Sequence, residues 1–504
     1  MTIPPKEPLI VAPTAHANYV PQIRLYQNWL KQNRGISFER YEDLWQWSIS
    51  DLDAFWQSIW DYFDLQSPTP HTTVLAKNAM PGAVWFPGAK VNYAGQVLRH
   101  VDAAHAAGFP ALIAQNELGV RQEISWPELR RRIASMALHL QAQGLQPGDR
   151  VAAYLPNIPE AIIAFLATIS VGGVWSICAP DMGTLAVLDR FKQIEPKVLI
   201  ACDGVTYGGK NYDRMSVVQE LKDALPSVQH VILHDNIGVA DLASNDVAAA
   251  VRFLQTTSLQ GSEVNQFTPM ALPFDHPLWV VYSSGTTGLP KPIVHGHGGT
   301  LIETLKAHVL HLDLGEDDRF LWFSTTGWIM WNSQVTGWMV GSTICLYDGN
   351  PGYPDMNRLW RFADEMQLTF FGIGAAYFSN CMKSGIEPGK QFNLSHLKTV
   401  GATGSPLVTE AYQWVYQHVK QDIMLASISG GTDTAATFVG ACPILPIYAG
   451  EMQCRSLGVA AHALDEAGKS LIGEVGELVI TIPMPSMPLY FWNDPGNLRY
   501  LDSY

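Results

Sequence analysis

The sequence predicts an α/β protein built from two related subdomains with mostly parallel, helix-covered sheets, followed by a small partial β-barrel unit. Three observations predict it. Short Val/Ile/Leu-rich runs alternate with helical stretches from about residue 120 onward. The alternation restarts after a Pro-containing stretch at 262–277, and about the last sixty residues change to short strands with turns. At 504 residues the chain exceeds what one hydrophobic core covers, so division into subdomains is expected. The expected organisation is an aromatic, helical extension over 1–100, a first α/β subdomain over 101–265, a second over 266–440, and an incomplete β subdomain over 441–504.

Composition narrows the function. Hydrophobic residues make up 47% and charged residues 15%, ample for large cores. Lys and Arg number 32 against 46 Asp and Glu, a net charge of -14 with no dense basic run. Such a field repels nucleic acid and anionic membrane surfaces, leaving small molecules as the expected partners. The six cysteines stand far apart and never as CxxC, which fits reduced thiols of a cytoplasmic protein better than zinc ligands or disulfides. "AIIAFLATISVGGVWSICAP", residues 161–180, has the length of a membrane span and no charge, but Gly172-Gly173 divides it into a buried helix and a buried strand.

In chain order, Trp45, Phe55, Trp56, Ile59, Trp60 and Phe63 suggest one amphipathic helix after a turn. Ser125 and Glu128 form a capping-box pattern; Leu129, Ile133, Met136 and Leu140 mark the helix face, and Gly144 closes it. "RVAAYL", the run near Trp175, "KVLIA" and "SVQHVIL" read as strands of the first sheet. "PLWVVYSS", "RFLWFST", "STICLYD", "LTFFGIG" and "HLKTVGATG" read as strands of the second half, and "GEVGELVI" as part of the terminal β unit.

The chemistry concentrates in "VYSSGTTGLPKPIVHGHGG", residues 281–299. A phosphate cradle needs unobstructed backbone N–H groups, hydroxyl donors and a movable cation. Ser283, Ser284, Gly285, Thr286, Thr287, Gly288 and Lys291 offer all three directly behind an apolar strand. A P-loop NTPase is excluded by spacing, because Lys291 stands three residues past Gly288 and Pro292 occupies the magnesium hydroxyl position. His295 and His297 have the spacing of a ligand pair without an evident third ligand, and their flanking glycines suit close backbone packing.

This loop resembles the phosphate-binding motif of the adenylate-forming superfamily, which includes acyl-CoA synthetases, luciferases and nonribosomal-peptide adenylation domains. "GATGSPL" (401–407), "GGTDTA" (430–435) and "GEVGELVI" (473–480) extend the resemblance along the chain. "APDMGTLAVLDRFKQIEPKVL", "TTGWIMWN" and "PMPSMPLYFWNDPGNLRY" resemble the acetoacetyl-CoA synthetase branch more than any other. The resemblance implies the N-terminal domain of the adenylate-forming fold and a ligase using ATP, Mg2+ and CoA, with acetoacetate activated as its acyl-AMP. It implies that Lys291 and the loop hydroxyls hold the leaving pyrophosphate, and that Gly404, Ser405 and Pro406 line the adenine. Gly431 would belong to the ATP-binding set, Thr432 would stand near the α-phosphate, and Asp433, where relatives have glutamate, would ligand magnesium; Lys291, Thr432 and Asp433 are the implied catalytic groups.

The same resemblance implies an acyl pocket walled by Trp328, Ile329 and Met330 and floored at Gly430, where acetyl-CoA synthetase relatives carry a tryptophan. Losing that indole frees volume for a longer acid, and Asn332 or Ser333 offers a donor for its ketone. Lys210 matches a CoA phosphate-binding position, with Tyr207 replacing the second, usually an arginine. Relatives continue beyond the position of "RYLDSY" into a ribose-binding aspartate, a hinge and a lysine-bearing lid domain of about a hundred residues. The expectation is therefore a chain truncated before that C-terminal domain. Other short-chain acids, transfer to a carrier protein, or an idle nucleotide-binding fragment stay open as alternatives.

Overall fold

The computed structural model describes residues 7–10, 19–239, 250–283 and 288–504. Two large sheets organise them. The first has eight strands in the spatial order Val251–Arg252, His230–His234, Val198–Cys202, Arg150–Tyr154, Val174–Cys178, Pro277–Ser283, Lys291–Gly296 and Tyr490–Phe491. Its first six are parallel and its last two pairings are antiparallel, so that Lys291–Gly296 alone runs against the others. The second has seven, ordered Met424–Ser427, Thr399–Thr403, Phe370–Gly374, Arg319–Trp322, Thr343–Asp348, Pro110–Asn116 and Arg121–Ser125, parallel except for the final hairpin. Strands such as Val174–Cys178 and Val198–Cys202 are buried along their whole length, as continuous apolar runs require when helices cover both faces.

The sheets exchange strands across the expected boundary near residue 265. The hairpin over 110–125 joins the second sheet, and the strands at 277–283 and 291–296 extend the first. Sequence order marks strands but not which sheet recruits them; pairing is decided by long-range register. One core spans the junction, with Val151 and Trp175 of the first sheet in the same cluster as Leu112 and Ile344 of the second. The ambiguous apolar segment is a buried helix, Pro159–Ser170, followed by the strand Val174–Cys178. Among the described residues no helix is long and apolar enough to cross a membrane.

The N-terminal aromatics form two helices, Tyr41–Ser50 and Leu52–Tyr62, where the sequence suggested one. Asp51 separates them: its carboxylate accepts from the Ala54 N–H at 3.0 Å and caps the second. Trp45 therefore sits on the first helix, where its indole donates to the Val459 carbonyl at 3.1 Å and ties the extension to the body. Ser125 caps Trp126–Ala142 by accepting from the Glu128 N–H. Only half the expected box forms, because the Glu128 carboxylate binds Arg131 and Arg132, each at 2.7 Å. The terminal β unit has three antiparallel strands, Ala461–Leu464, Ser470–Leu471 and Glu477–Ile480.

Candidate active site

The strands Pro277–Ser283 and Lys291–Gly296 pair antiparallel, with Ser283 opposite Lys291 at the mouth of the phosphate-type loop. Ser284, Gly285, Thr286 and Thr287 lie outside the described residues. Lys291 projects over two aromatic rings, 5.9 Å from the Phe491 centroid and 5.8 Å from that of Tyr504. Four residues along the same strand, His295 is buried between Trp279, whose indole donates to Nδ1 at 2.9 Å, and the Asp433 carbonyl, which accepts from Nε2 at 2.7 Å. Through His295 the strand of Lys291 is thus fastened to the 430–435 turn. Asp433 also accepts a hydrogen bond from the Tyr504 hydroxyl.

A cleft of about 520 Å³ opens beside this turn. It gathers the three separated motifs that the sequence singled out: Trp328, Ile329 and Met330; Gly404, Ser405 and Pro406; and Gly430, Gly431 and Thr432. Their positions follow from the second sheet, whose strands Arg319–Trp322, Thr399–Thr403 and Met424–Ser427 end at these segments. Carboxyl ends of parallel strands are where open α/β sheets bind ligands. Asn332 and Ser333 also line the cleft. Lys291 and Asp433 are not among its lining residues; they adjoin it through the strand and turn just described. Lys210 stands apart, exposed on the hairpin of Gly204–Tyr207 and Lys210–Asp213. Glu117 holds that hairpin's tip by accepting from the backbone N–H groups of Gly208 and Gly209, and it accepts from Asn350 as well.

The two histidines of "HGHGG" act as hydrogen-bonding groups: His297 Nδ1 accepts from the Tyr93 N–H at 3.1 Å. No cluster of three or more His, Cys, Asp or Glu suited to a metal occurs among the described residues. The glycines beside them are packing requirements. A Cβ on Gly299 would collide with the Pro485 carbonyl oxygen.

Gly430 carries a constraint that the sequence did not reveal. Its strand, Ser429–Gly431, pairs with Ala436–Gly440 through an irregular register, so any Cβ would collide with the Ala436 carbonyl oxygen. The position is open to the cleft, yet it does not simply lack an indole that could be restored. Gly430→Ala is expected to destabilise the protein by about 1–3 kcal/mol, from overpacking against backbone that cannot move aside. Gly430→Trp is expected to disrupt the hairpin before it redirects substrate choice. A thermal melt of Gly430→Ala superimposable on the unsubstituted protein's would contradict this.

The helix His297–Leu305 and the wider π-type turn Lys306–His311 that continues it bring to the cleft Thr300, Glu303, Thr304 and His308, none of which the sequence singled out. The available signal was an acid and a lysine three residues apart, Glu303 and Lys306, in a helical run with no other Asp, Glu, Lys or Arg; buried charges need such pairing. His308 Nε2 lies 2.9 Å from the Thr336 hydroxyl and 3.0 Å from the Ser333 carbonyl. Burial pushes its pKa down to about 4, against the upward pull of the carbonyls it faces. Its neutral form therefore contributes stability that is complete above the ordinary histidine pKa of about 6.5 and is lost as pH falls from there toward 4. Imidazole NMR is expected to show no titration of His308 between pH 8 and about 5; a midpoint near 6.5 would contradict its burial.

Glycine- and hydroxyl-rich loops at the carboxyl ends of parallel strands define a nucleotide-using α/β enzyme. The chain belongs to the AMP-binding enzyme family: the profile of that description matches residues 100–491, and one described as acetyl-coenzyme A synthetase N-terminus matches residues 41–97. It is 40% identical over 479 residues to an acetoacetyl-coenzyme A synthetase of Rhizobium meliloti strain 1021, covering 95% of this chain and 72% of that protein. An acetoacetyl-CoA synthetase of Xenopus tropicalis is 36% identical over 493 residues, covering 96% and 72%. The solved acetoacetyl-CoA synthetase from Streptomyces lividans superimposes with a TM-score of 0.92 at 44% identity, covering 99% of this chain and 76% of that one. These alignments take in nearly all of this chain and about three quarters of each relative's own length.

Proposed function

We propose that the protein activates acetoacetate with ATP and passes it to CoA. A carboxylate is a poor electrophile and is repelled by a polyphosphate, so it is joined to AMP before a thiol can attack it. The acid's carboxylate oxygen attacks the α-phosphorus, the bond to pyrophosphate breaks, and the CoA thiolate then displaces AMP from the acyl carbon.

The observation that carries this reading is the convergence of residues 328–330, 404–406 and 430–432 on one cleft. In it, Gly404, Ser405 and Pro406 receive the adenine, Gly431 and Thr432 face the α-phosphate, and Trp328, Ile329, Met330 and Gly430 enclose the acid. Lys291, with Ser283 and the loop hydroxyls, holds the departing pyrophosphate and stabilises charge as it develops there. Lys210 contributes to CoA phosphate binding from its exposed hairpin. Magnesium commonly takes one or two protein carboxylates together with substrate phosphates, and Asp433 beside the 430–432 turn suits that donor set. Bound there, the ion would supply charge neutralisation of the triphosphate. The six free cysteines support a cytoplasmic setting.

The direct test is acetoacetate-dependent exchange of labelled pyrophosphate into ATP, followed by CoA-dependent AMP release. Exchange without any added acid, or none with acetoacetate, would contradict the reading.

A further inference from the structure

The helix His297–Leu305 presents to the cleft two side chains with oxygens that the protein leaves without partners. Glu303 is 1% exposed, and its Oε1 accepts from Lys306 Nζ at 2.5 Å. That ammonium is otherwise engaged: it donates to the Leu457 carbonyl at 2.7 Å and lies 5.5 Å over the Trp56 ring. Glu303 Oε2 has no partner, and neither does Thr300 Oγ1, three residues earlier on the same helix face. Both residues line the cleft. A buried carboxylate oxygen without a donor is a standing penalty that a bound group can remove.

Lys306 fixes the carboxylate in place, and the charge pair accounts for only one of its oxygens. The remaining oxygen accepts only, whereas the Thr300 hydroxyl can donate. A ligand that satisfies both must therefore give one hydrogen bond and take another within a few atoms. An alkyl tail can do neither and would leave both oxygens dry.

We infer that Glu303 and Thr300 determine specificity at the distal end of the acid, selecting short acids whose third carbon bears a group that both donates and accepts hydrogen bonds. The inference rests on the acid-activating function proposed above and names a further substrate class for the same site. The carboxamide of a malonic half-amide fits, its N–H₂ donating to Glu303 and its oxygen accepting from Thr300; the hydroxyl of 3-hydroxybutyrate fits in the same way. A 3-oxo acid satisfies Thr300, and an unbranched alkanoic acid satisfies neither.

The test is the pyrophosphate exchange assay on the full chain with four acids: acetoacetate, malonic half-amide, 3-hydroxybutyrate and butyrate. The half-amide and 3-hydroxybutyrate are expected to exchange with kcat/KM at least about a hundredfold above butyrate, since a site built around hydrogen bonds rejects analogues that lack them. Removing both charges with Glu303→Leu and Lys306→Met together avoids stranding a buried ion, and is expected to shrink that preference at least about tenfold. Thr300→Val, nearly isosteric, is expected to weaken all three oxygen-bearing acids against butyrate by about tenfold. Butyrate exchanging as well as the half-amide in the unsubstituted protein would overturn the inference while leaving acid activation standing. An unaltered acid preference in folded Thr300→Val would overturn it too. Absence of exchange with all four acids would overturn the proposed function itself.

Discussion

Replacing Lys291 with alanine is expected to lower acid-dependent pyrophosphate exchange by about a hundredfold or more while leaving the fold intact. The activity loss is expected to be large because a single preorganised cation beside departing pyrophosphate is typically worth about 10²–10³ in rate. The stability cost should be small. Lys291 interacts with the rings of Phe491 and Tyr504 at 5.9 and 5.8 Å, and cation–π contacts at partly exposed sites contribute about 0.5–1 kcal/mol. Exchange kinetics on a variant with a native-like melting curve separate the two effects, and an unchanged exchange rate would remove Lys291 from its assigned place.

Lys306→Met is expected to be the most destabilising of the substitutions considered, by about 3–5 kcal/mol. Lys306 is fully buried and Glu303 nearly so, and they contact each other at 2.5 Å. Burial pushes the lysine's pKa down and the Glu303 carboxylate opposes that push. Deleting the lysine alone strands the carboxylate in the interior, whereas exchanging both for apolar side chains removes the desolvation cost together with the attraction. The lowered urea midpoint of Lys306→Met is accordingly expected to recover in the Glu303→Leu, Lys306→Met double variant. A single variant within about 1 kcal/mol of the parent would mean that the pair is not the rigid support inferred from its burial.

The parallel strands were legible in the sequence because burial on both faces leaves continuous apolar runs, as in Val198–Cys202 and Val174–Cys178. Their allegiance was not: nothing local in 110–125 or 277–296 says which sheet they complete. The loops of the candidate site were legible for the opposite reason, since glycines, hydroxyls and a lysine behind a strand are costly to keep unless they contact something. Gly430 was half readable. Its missing indole can be seen in the sequence, but the collision with Ala436 depends on an irregular pairing that only the folded hairpin displays. Glu303 escaped notice because an acid in a helix ordinarily faces water; its spacing from Lys306 hinted at a pair, and the packing of Leu457 and Trp56 around Lys306 shows that the pair is buried.

The measurement that bears most directly on the mechanism is the fate of oxygen from acetoacetate labelled with ¹⁸O in its carboxylate. Attack of that carboxylate on the α-phosphorus places one labelled oxygen in the AMP released when CoA arrives. Mass spectrometry of the AMP is expected to show a gain of a single ¹⁸O; unlabelled AMP with the isotope in inorganic phosphate would contradict an acyl-adenylate route.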